Sequence, residues 1–271
     1  MYNIFTKEAN KLKKAILLLH GFLSDTNDFI MISDMLEKNY DYVKKVVFPG
    51  HGPDEPYTLF NAQDTIKTLL NDFDELQKTY KYIDVMGYSM GGALGVYLSQ
   101  VRDFNKLILL APANKYFNFK MPFEKLVVYA KNFTKYFEAK RNHNVEELEE
   151  TKKLLDSLVN DEKESVKVAF ENFFTRYLYG TYRNFRRLIK TINENIETID
   201  NPCFIAWGTL DQLVPIDSVE LLFSKCTNKV KEKKIYPYLN HLLLLSDMNE
   251  QLIKDLESFI KLKVTSKKNK F

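Results

Sequence analysis

A serine set between glycines is the first candidate for chemistry in this sequence. Residues 87–91 read Gly-Tyr-Ser-Met-Gly, a G-x-S-x-G pattern that follows the apolar run Tyr82–Met86 and precedes a helix-period segment. Between a strand and a helix, this pattern predicts a sharp turn that exposes the Ser89 hydroxyl as a nucleophile. Such a turn strains the serine to positive φ and leaves no room for side chains at Gly87 and Gly91. The alternative is a glycine-rich turn that only closes a strand–helix unit.

A serine hydroxyl needs a base to remove its proton and a carboxylate to orient that base. Of the four histidines, His241 lies between the last predicted strand and the last predicted helix, where its ring can reach the serine turn. Asp211 follows the predicted strand Cys203–Trp207 in the same way. The chain order Ser89, Asp211, His241 is one of the known orders of a serine triad. These three residues are the predicted catalytic residues.

Other residues compete for these roles. Asp211 could be an ordinary turn residue, and Asp217 and Asp247 are rival carboxylates near the same predicted sheet edge. We expect Asp217 to cap the predicted helix Ser218–Ser224 instead. His143 lies between two asparagines and is interpreted as a surface-loop residue.

Acyl transfer also needs two backbone N–H groups aimed at the developing oxyanion. One is predicted to be that of Met90, directly after the serine. The other is predicted to come from the loop that follows the apolar run Ala15–Leu19, with Phe22 as the donor. His20, in the same loop, is expected to brace it by hydrogen bonds.

Short apolar runs alternate with helix-period segments, which indicates a mostly parallel sheet with helices on both faces, an α/β fold. The predicted strands are Ala15–Leu19, Lys44–Phe48, Tyr82–Met86, Lys106–Leu110, Cys203–Trp207 and Lys233–Tyr236, with Tyr2–Thr6 as a possible antiparallel edge strand. The predicted helices are Ala62–Thr79, Met90–Val101, Arg183–Ile196, Ser218–Ser224 and Glu250–Leu262.

The alternation stops in the middle of the chain, where three helical segments, Phe123–Tyr136, Val145–Val159 and Ser165–Leu178, follow one another without a strand. We interpret them as an inserted helical cap, residues 114–180, between two parts of one core, residues 1–113 and 181–271. Much of the 14% aromatic content lies in this insert. Aromatic side chains there could bury the underside of the cap or form the roof of an apolar pocket.

Composition excludes several classes of protein. The net charge of +3 is close to balance, so no nucleic-acid partner is indicated. No apolar run is long enough to span a bilayer, and no signal peptide is evident, so the expected compartment is the cytoplasm. The two cysteines do not form a C-x-x-C pair, and Cys203 is expected to be buried and inert.

Taken as an ordered set, the motifs resemble those of the serine α/β-hydrolase superfamily, and most of all its carboxylesterase and monoacylglycerol-lipase branch. The resemblance rests on His20-Gly21-Phe22, Pro49-Gly50-His51-Gly52, the serine motif, Gly208-Thr209-Leu210-Asp211 and Asn240-His241. It implies an acyl-Ser89 intermediate, a helical cap over the site, and neither a metal nor an organic cofactor.

The leading hypothesis is therefore a serine hydrolase for a lipophilic ester, with a short or medium acyl chain, or for a monoacylglycerol. A thioesterase, an aminopeptidase and a carbon–carbon bond hydrolase could use the same triad. A catalytically idle binding protein of this fold is the alternative from another class, but such a protein would be expected to lack one triad residue. The oligomeric state is not indicated by the sequence.

Overall fold

A parallel sheet forms the centre of the molecule in the computed structural model. The model describes residues 13–115 and 177–264, together with positions 139, 144–147, 149–151 and 153 between them. Its six strands are β1 (Lys14–Leu19), β2 (Tyr42–Lys45), β3 (Tyr82–Tyr88), β4 (Leu107–Leu110), β5 (Cys203–Gly208) and β6 (Lys231–Tyr236). They lie in the order β2-β1-β3-β4-β5-β6, and each neighbouring pair is parallel.

Strand composition explains this order. The central strands β1, β3, β4 and β5 are almost wholly buried and read as continuous apolar runs, as strands covered on both faces do. The outer strands β2 and β6 carry lysines and are partly exposed. Charged side chains at the two edges protect the sheet from pairing with another chain.

Helices cover both faces of the sheet. They are α1 (Ser33–Asn39), α2 (Ala62–Thr79), α3 (Met90–Val101), α4 (Tyr177–Glu194), α5 (Ile216–Lys225) and α6 (Glu250–Lys261). Two short 3₁₀ helices span Thr26–Ile32 and Tyr57–Leu59. Side chains of α2, α3, α4 and α5 share one buried cluster with alternate residues of the strands. Those of α1 and α6 share the cluster on the opposite face. The mostly parallel sheet with helices on both faces confirms the predicted fold class.

Local signals fix the bounds of the helices nearest the site. The side chain of Asn61 caps α2 by accepting from the N–H groups of Gln63 and Asp64, at 2.9 and 3.1 Å. The bounds of α2 and α3 agree with those predicted from the sequence. No helix in the described part of the chain is both long and apolar enough to cross a membrane.

Several predicted bounds were wrong. β2 ends at Lys45 rather than Phe48, because the N–H of Phe48 donates to the ring of His20 instead of to a strand. α4 begins at Tyr177 rather than Arg183. The helix continues through Gly180, where a Cβ would meet no atom within 4 Å. The predicted boundary after residue 180 therefore falls inside a continuous helix.

One helix was missed, one predicted helix cap was wrong, and some predictions concern residues outside the described part of the chain. Helix α1 was not predicted at all. Asp217 does not cap α5, which begins at Ile216 after Pro215; Asp217 lies in its first turn. The possible edge strand Tyr2–Thr6 and nearly all of the predicted cap lie outside the described residues, so the division into core and cap stays a prediction.

Candidate active site

Ser89 lies directly after β3, at the carboxyl edge of the sheet, and begins α3 as its N-terminal cap residue. Its backbone has φ 54° and ψ −113°, a conformation that non-glycine residues adopt only under strain. The surrounding backbone holds it there, since the Ser89 N–H donates to the carbonyl of Leu110 at 2.8 Å and the Ala113 N–H donates to the Ser89 carbonyl at 3.0 Å.

The glycines on either side make this turn possible. A Cβ on Gly87 would lie 2.2 Å from the carbonyl oxygen of Gly91, and a Cβ on Gly91 would lie 1.9 Å from that of Leu19. Both contacts are with backbone atoms, which have no side-chain freedom to move away. Any other residue at these two positions would therefore push α3 off the sheet and displace the serine.

Three side chains from distant parts of the chain meet at this edge. The Ser89 hydroxyl oxygen lies 3.0 Å from Nε2 of His241, and Nδ1 of the same ring lies 2.8 Å from Oδ2 of Asp211. His241 and Asp211 are 8% and 7% exposed, so water has little access to the bond between them. The arrangement can pass a proton from serine to histidine while the carboxylate stabilises the resulting charge.

Asp211 is itself fixed by its own loop. Its second oxygen, Oδ1, accepts the N–H groups of Leu213 and Val214, both at 2.9 Å. These bonds leave Oδ2 directed at the histidine ring. Asp211, and not the rivals Asp217 or Asp247, is thus the carboxylate that the structure places against His241.

Tyr88 supports the histidine from the strand side, a contact that the sequence did not reveal. Its buried hydroxyl donates to the backbone carbonyl of His241, and the two rings lie 5.5 Å apart. Tyr88, which directly precedes Ser89, therefore helps to hold the loop of His241 in place. Sequence patterns give no signal for such a bond, because it joins residues 153 positions apart that only the fold brings together.

The two predicted oxyanion donors belong to the start of α3 and to the loop after β1. Met90 is the first residue of α3, so its N–H has no acceptor within the helix and adds to the positive end of the helix dipole. Phe22 lies in the loop after β1. The carbonyl of Gly21 is held at 2.8 Å by Nδ1 of His20. Since that peptide is trans, the Phe22 N–H points in the opposite direction.

Two buried histidines brace this loop. The second nitrogen of His20, Nε2, accepts the Phe48 N–H at 3.3 Å. His51 donates from Nδ1 to the carbonyl of Pro49 at 3.1 Å and accepts the Leu23 N–H on Nε2, also at 3.1 Å. Burial, helped by the neighbouring His51, lowers the pKa of His20 to about 3. Burial likewise lowers the pKa of His51 to about 4. Both rings stay neutral, as a ring that donates on one nitrogen and accepts on the other must.

Comparison with known proteins agrees with this geometry. Residues 10–249 match the family described as serine aminopeptidase S33. The chain belongs to that family.

Named relatives of this S33 member are hydrolases. It is 22% identical over 249 residues to a carboxylesterase of Bacillus subtilis, covering 91% of this chain and 92% of the relative. It is 28% identical to the putative esterase/lipase 2 of Mycoplasma genitalium, covering 82% and 81%. A soluble variant of the monoglyceride lipase of Saccharomyces cerevisiae superposes with a TM-score of 0.62 at 18% identity, covering 94% of this chain and 88% of that one. This S33 member is thus a hydrolase with the α/β-hydrolase fold.

A cluster of aromatic rings lies beside the loop that carries Phe22 in this hydrolase. The Phe22 ring stacks on Phe185 of α4 at 4.5 Å and contacts Phe60 at 5.2 Å, while Tyr182 stacks on Phe185 at 6.4 Å. Phe60 and Phe185 are fully buried. This buried cluster gives the loop an apolar support on the side that faces α4.

The opposite side of α4 is polar. A cavity of about 690 Å³ lies along this helix. Its described lining residues are Tyr182, Arg183, Arg186, Arg187, Ile189, Lys190, Asn193 and Glu194.

Proposed function

We propose that this protein is a serine hydrolase that cleaves carboxylic esters, with Ser89 as nucleophile, His241 as base and acid, and Asp211 as the orienting carboxylate. The observation that carries the proposal is the continuous chain of contacts from the serine hydroxyl through both ring nitrogens to the carboxylate. An accessible serine hydroxyl and a histidine oriented by a buried carboxylate are the features that nucleophilic acyl transfer requires.

The proposed reaction has two halves. The Ser89 oxygen attacks the ester carbonyl carbon, and its proton moves to Nε2 of His241. The N–H groups of Phe22 and Met90 stabilise the resulting oxyanion. When the tetrahedral intermediate collapses, Nε2 gives the proton to the leaving alcohol, and the acyl group stays on Ser89 as an ester. Water then attacks this ester by the same route, releasing the carboxylic acid and restoring the serine hydroxyl.

The proposed substrates are lipophilic, namely esters with short or medium acyl chains or monoacylglycerols. The many aromatic residues of the predicted cap support an apolar acyl group. The names of the relatives, a carboxylesterase and an esterase/lipase, support ester chemistry. We propose that the enzyme acts in the cytoplasm on a small-molecule substrate, with the predicted cap covering the site.

A substrate panel tests this proposal against the other reactions of the same triad. The panel holds p-nitrophenyl esters with acyl chains of increasing length, monoacylglycerols, an acyl thioester and aminoacyl p-nitroanilides, the last because the family description names an aminopeptidase. We expect the highest kcat/KM for an ester. Ser89→Ala should abolish that turnover, and Ser99→Ala, on the same helix, should leave it unchanged. Preference for an aminoacyl anilide, or ester turnover that survives in Ser89→Ala, would contradict the proposal.

A further inference from the structure

A buried carboxyl group lies beneath the loop that carries Phe22. Asp28, in the 3₁₀ helix Thr26–Ile32, is 3% exposed. Its Oδ2 accepts the backbone N–H of Gly21 at 2.8 Å, and its Oδ1 accepts the hydroxyl of Ser24. Two donors from the same loop thus converge on one carboxyl, although Asp28 lies outside the predicted catalytic residues.

This carboxyl lies close to the nucleophile, with only Gly21 between them. A Cβ built on Gly21 would be 3.4 Å from Oδ2 of Asp28 and 3.6 Å from Cβ of Ser89. The hydrogen bond from Gly21 to Asp28 therefore fixes backbone that lies beside the Ser89 side chain.

Successive peptide units of the loop are each held by a different side chain. Asp28 holds the unit before Gly21, His20 holds the unit that ends in the Phe22 N–H, and His51 holds the unit after it. Every one of these bonds is buried. Glycine has no side chain to restrict its backbone, so Gly21 depends on such bonds to keep one orientation.

We propose that Asp28 is a positioning residue for ester hydrolysis: by holding the Gly21 N–H, it fixes the following peptide so that the Phe22 N–H faces the oxyanion. This inference rests on the proposed function, because it requires a tetrahedral intermediate on Ser89. Without the bond, the unit before Gly21 can rotate, and the Phe22 N–H moves away from the place where the negative charge develops.

An electrostatic role would differ from this one. Burial raises the pKa of Asp28 to about 7, whereas the hydrogen bonds from Ser24 and Gly21 and charge on His241 act to lower it. An ionised Asp28 could therefore stabilise a positively charged His241 instead of orienting the loop. The two roles separate in Asp28→Asn, since an asparagine oxygen can accept the Gly21 N–H but carries no charge.

The experiment compares Asp28→Asn and Asp28→Ala with the wild type, and Asp34→Ala serves as a control at an exposed aspartate. Steady-state kinetics with a p-nitrophenyl ester give kcat and KM. Inhibition by an alkyl trifluoromethyl ketone, which forms a tetrahedral adduct with a catalytic serine, reports the oxyanion site directly. Ser24→Ala, which frees one carboxyl oxygen, is the second test of the same bond should Asp28→Ala fail to fold.

We expect Asp28→Ala to lower kcat by about 10–100-fold, the scale of a displaced catalytic group, with KM changed less than about threefold. Its affinity for the ketone should fall in proportion. Asp28→Asn should keep kcat within about fivefold of the wild type, and Ser24→Ala should lower kcat by about threefold to tenfold, because the retained oxygen is less well fixed.

Three outcomes would overturn the inference. The first is wild-type kcat and ketone affinity in folded Asp28→Ala. The second, if Asp28→Ala does not fold, is wild-type values in Ser24→Ala. The third is an Asp28→Asn variant as slow as Asp28→Ala, which would assign the effect to charge. A wild-type enzyme that neither hydrolyses esters nor binds the ketone would instead contradict the proposed function.

Discussion

The two ends of strand β3 each hold a buried carboxylate, but they differ in what surrounds it. Near the amino end, Asp84 is fully buried and accepts from the hydroxyl of Tyr40 at 2.7 Å and the N–H of Lys106 at 3.1 Å, with the Lys14 ammonium 3.7 Å away. At the carboxyl end, the contacts of Asp211 lead through His241 to the hydroxyl of Ser89.

The amino-end cluster joins elements together. The Lys106 ammonium donates to the carbonyls of Phe259 and Ile260 at 3.0 and 2.6 Å, and so holds the end of α6 on the sheet. Its charge also complements the negative end of the helix dipole. The described contacts of the cluster are with backbone groups, the two lysines and the Tyr40 hydroxyl, and they join β1, β3, β4 and α6.

Perturbed pKa values occur near both ends of the strand, so they do not by themselves locate the reactive site. Burial raises the pKa of Asp84, and burial lowers the pKa of Lys106 to about 8. Strongly shifted groups mark structural networks as well as active sites. What distinguishes the carboxyl end is geometric: a strained serine whose hydroxyl contacts a histidine paired with a buried carboxylate.

The largest expected effect comes from breaking the proton path. His241→Ala should lower kcat for a p-nitrophenyl ester by about 10⁵–10⁶-fold, because no base then removes the serine proton. Steady-state kinetics on purified protein measure this. A loss below about 100-fold, in a variant whose circular dichroism matches the wild type, would show that His241 is not the base.

Removing only the charge of the carboxylate tests the next contact. Asp211→Asn should lower kcat by about 10³–10⁴-fold, because an amide presents the wrong partner to the ring nitrogen. Asp217→Asn, in the first turn of α5, is the matched control and should retain wild-type kcat. Equal activity of the two variants would remove Asp211 from the mechanism.

At the amino end, the same kind of change should affect stability instead. Asp84→Ala leaves two lysines without their buried partner and should lower the free energy of unfolding by about 3 kcal/mol. The kcat of the protein that remains folded should be unchanged. Urea unfolding measures the first and active-site-titrated kinetics the second, with Glu75→Ala, in an exposed ion pair, as the control. A large fall in kcat with an unchanged free energy of unfolding would contradict a purely structural role for Asp84.

His20 and His51, the two buried histidines that brace the Phe22 loop, predict a loss of stability in acid. Their pKa values are about 3 and about 4 in the folded protein and near 6.5 when unfolded, so below pH 6.5 the unfolded chain binds more protons. Their contribution to the free energy of unfolding is complete above pH 6.5. It should fall by an amount on the order of a few kcal/mol as the pH drops toward 4. Urea unfolding from pH 7.5 to 4.5 measures it, and His51→Gln should weaken the dependence.

Asp28 should act in the opposite direction and with a smaller effect. Its folded pKa of about 7 lies above the unfolded value of 3.8, so its contribution is complete below pH 3.8 and is lost as the pH rises through 7. Asp28→Asn, which avoids burying a charge, should therefore raise Tm at pH 8 by about 2–4 °C and have less effect at pH 5. A lower Tm of this variant at pH 8 would contradict the sign.

The parts of this account that the sequence predicted are those encoded locally. The serine motif and its flanking glycines are specified by neighbouring residues, and α2 and α3 were predicted with their observed bounds. The meeting of Ser89, Asp211 and His241 was predictable because parallel strands place the loops that follow them at one edge of the sheet.

Contacts that depend on the assembled fold were missed. Asp28 looks like an ordinary turn residue in the sequence, and only the packing of its 3₁₀ helix places it against Gly21. The hydroxyl of Tyr88 likewise finds its acceptor across the sheet edge. Helix α1 is only seven residues long and buries Leu36 alone, too little for a helical period to be recognised.

The most direct test of the central claim is covalent labelling with a fluorophosphonate, read by intact-protein and peptide mass spectrometry. The account predicts one adduct per chain on Ser89 in the wild type and in folded Asp84→Ala, and none in Ser89→Ala. No adduct on the folded wild type, or an adduct on another residue, would contradict the claim that the carboxyl end of β3 is the reactive one.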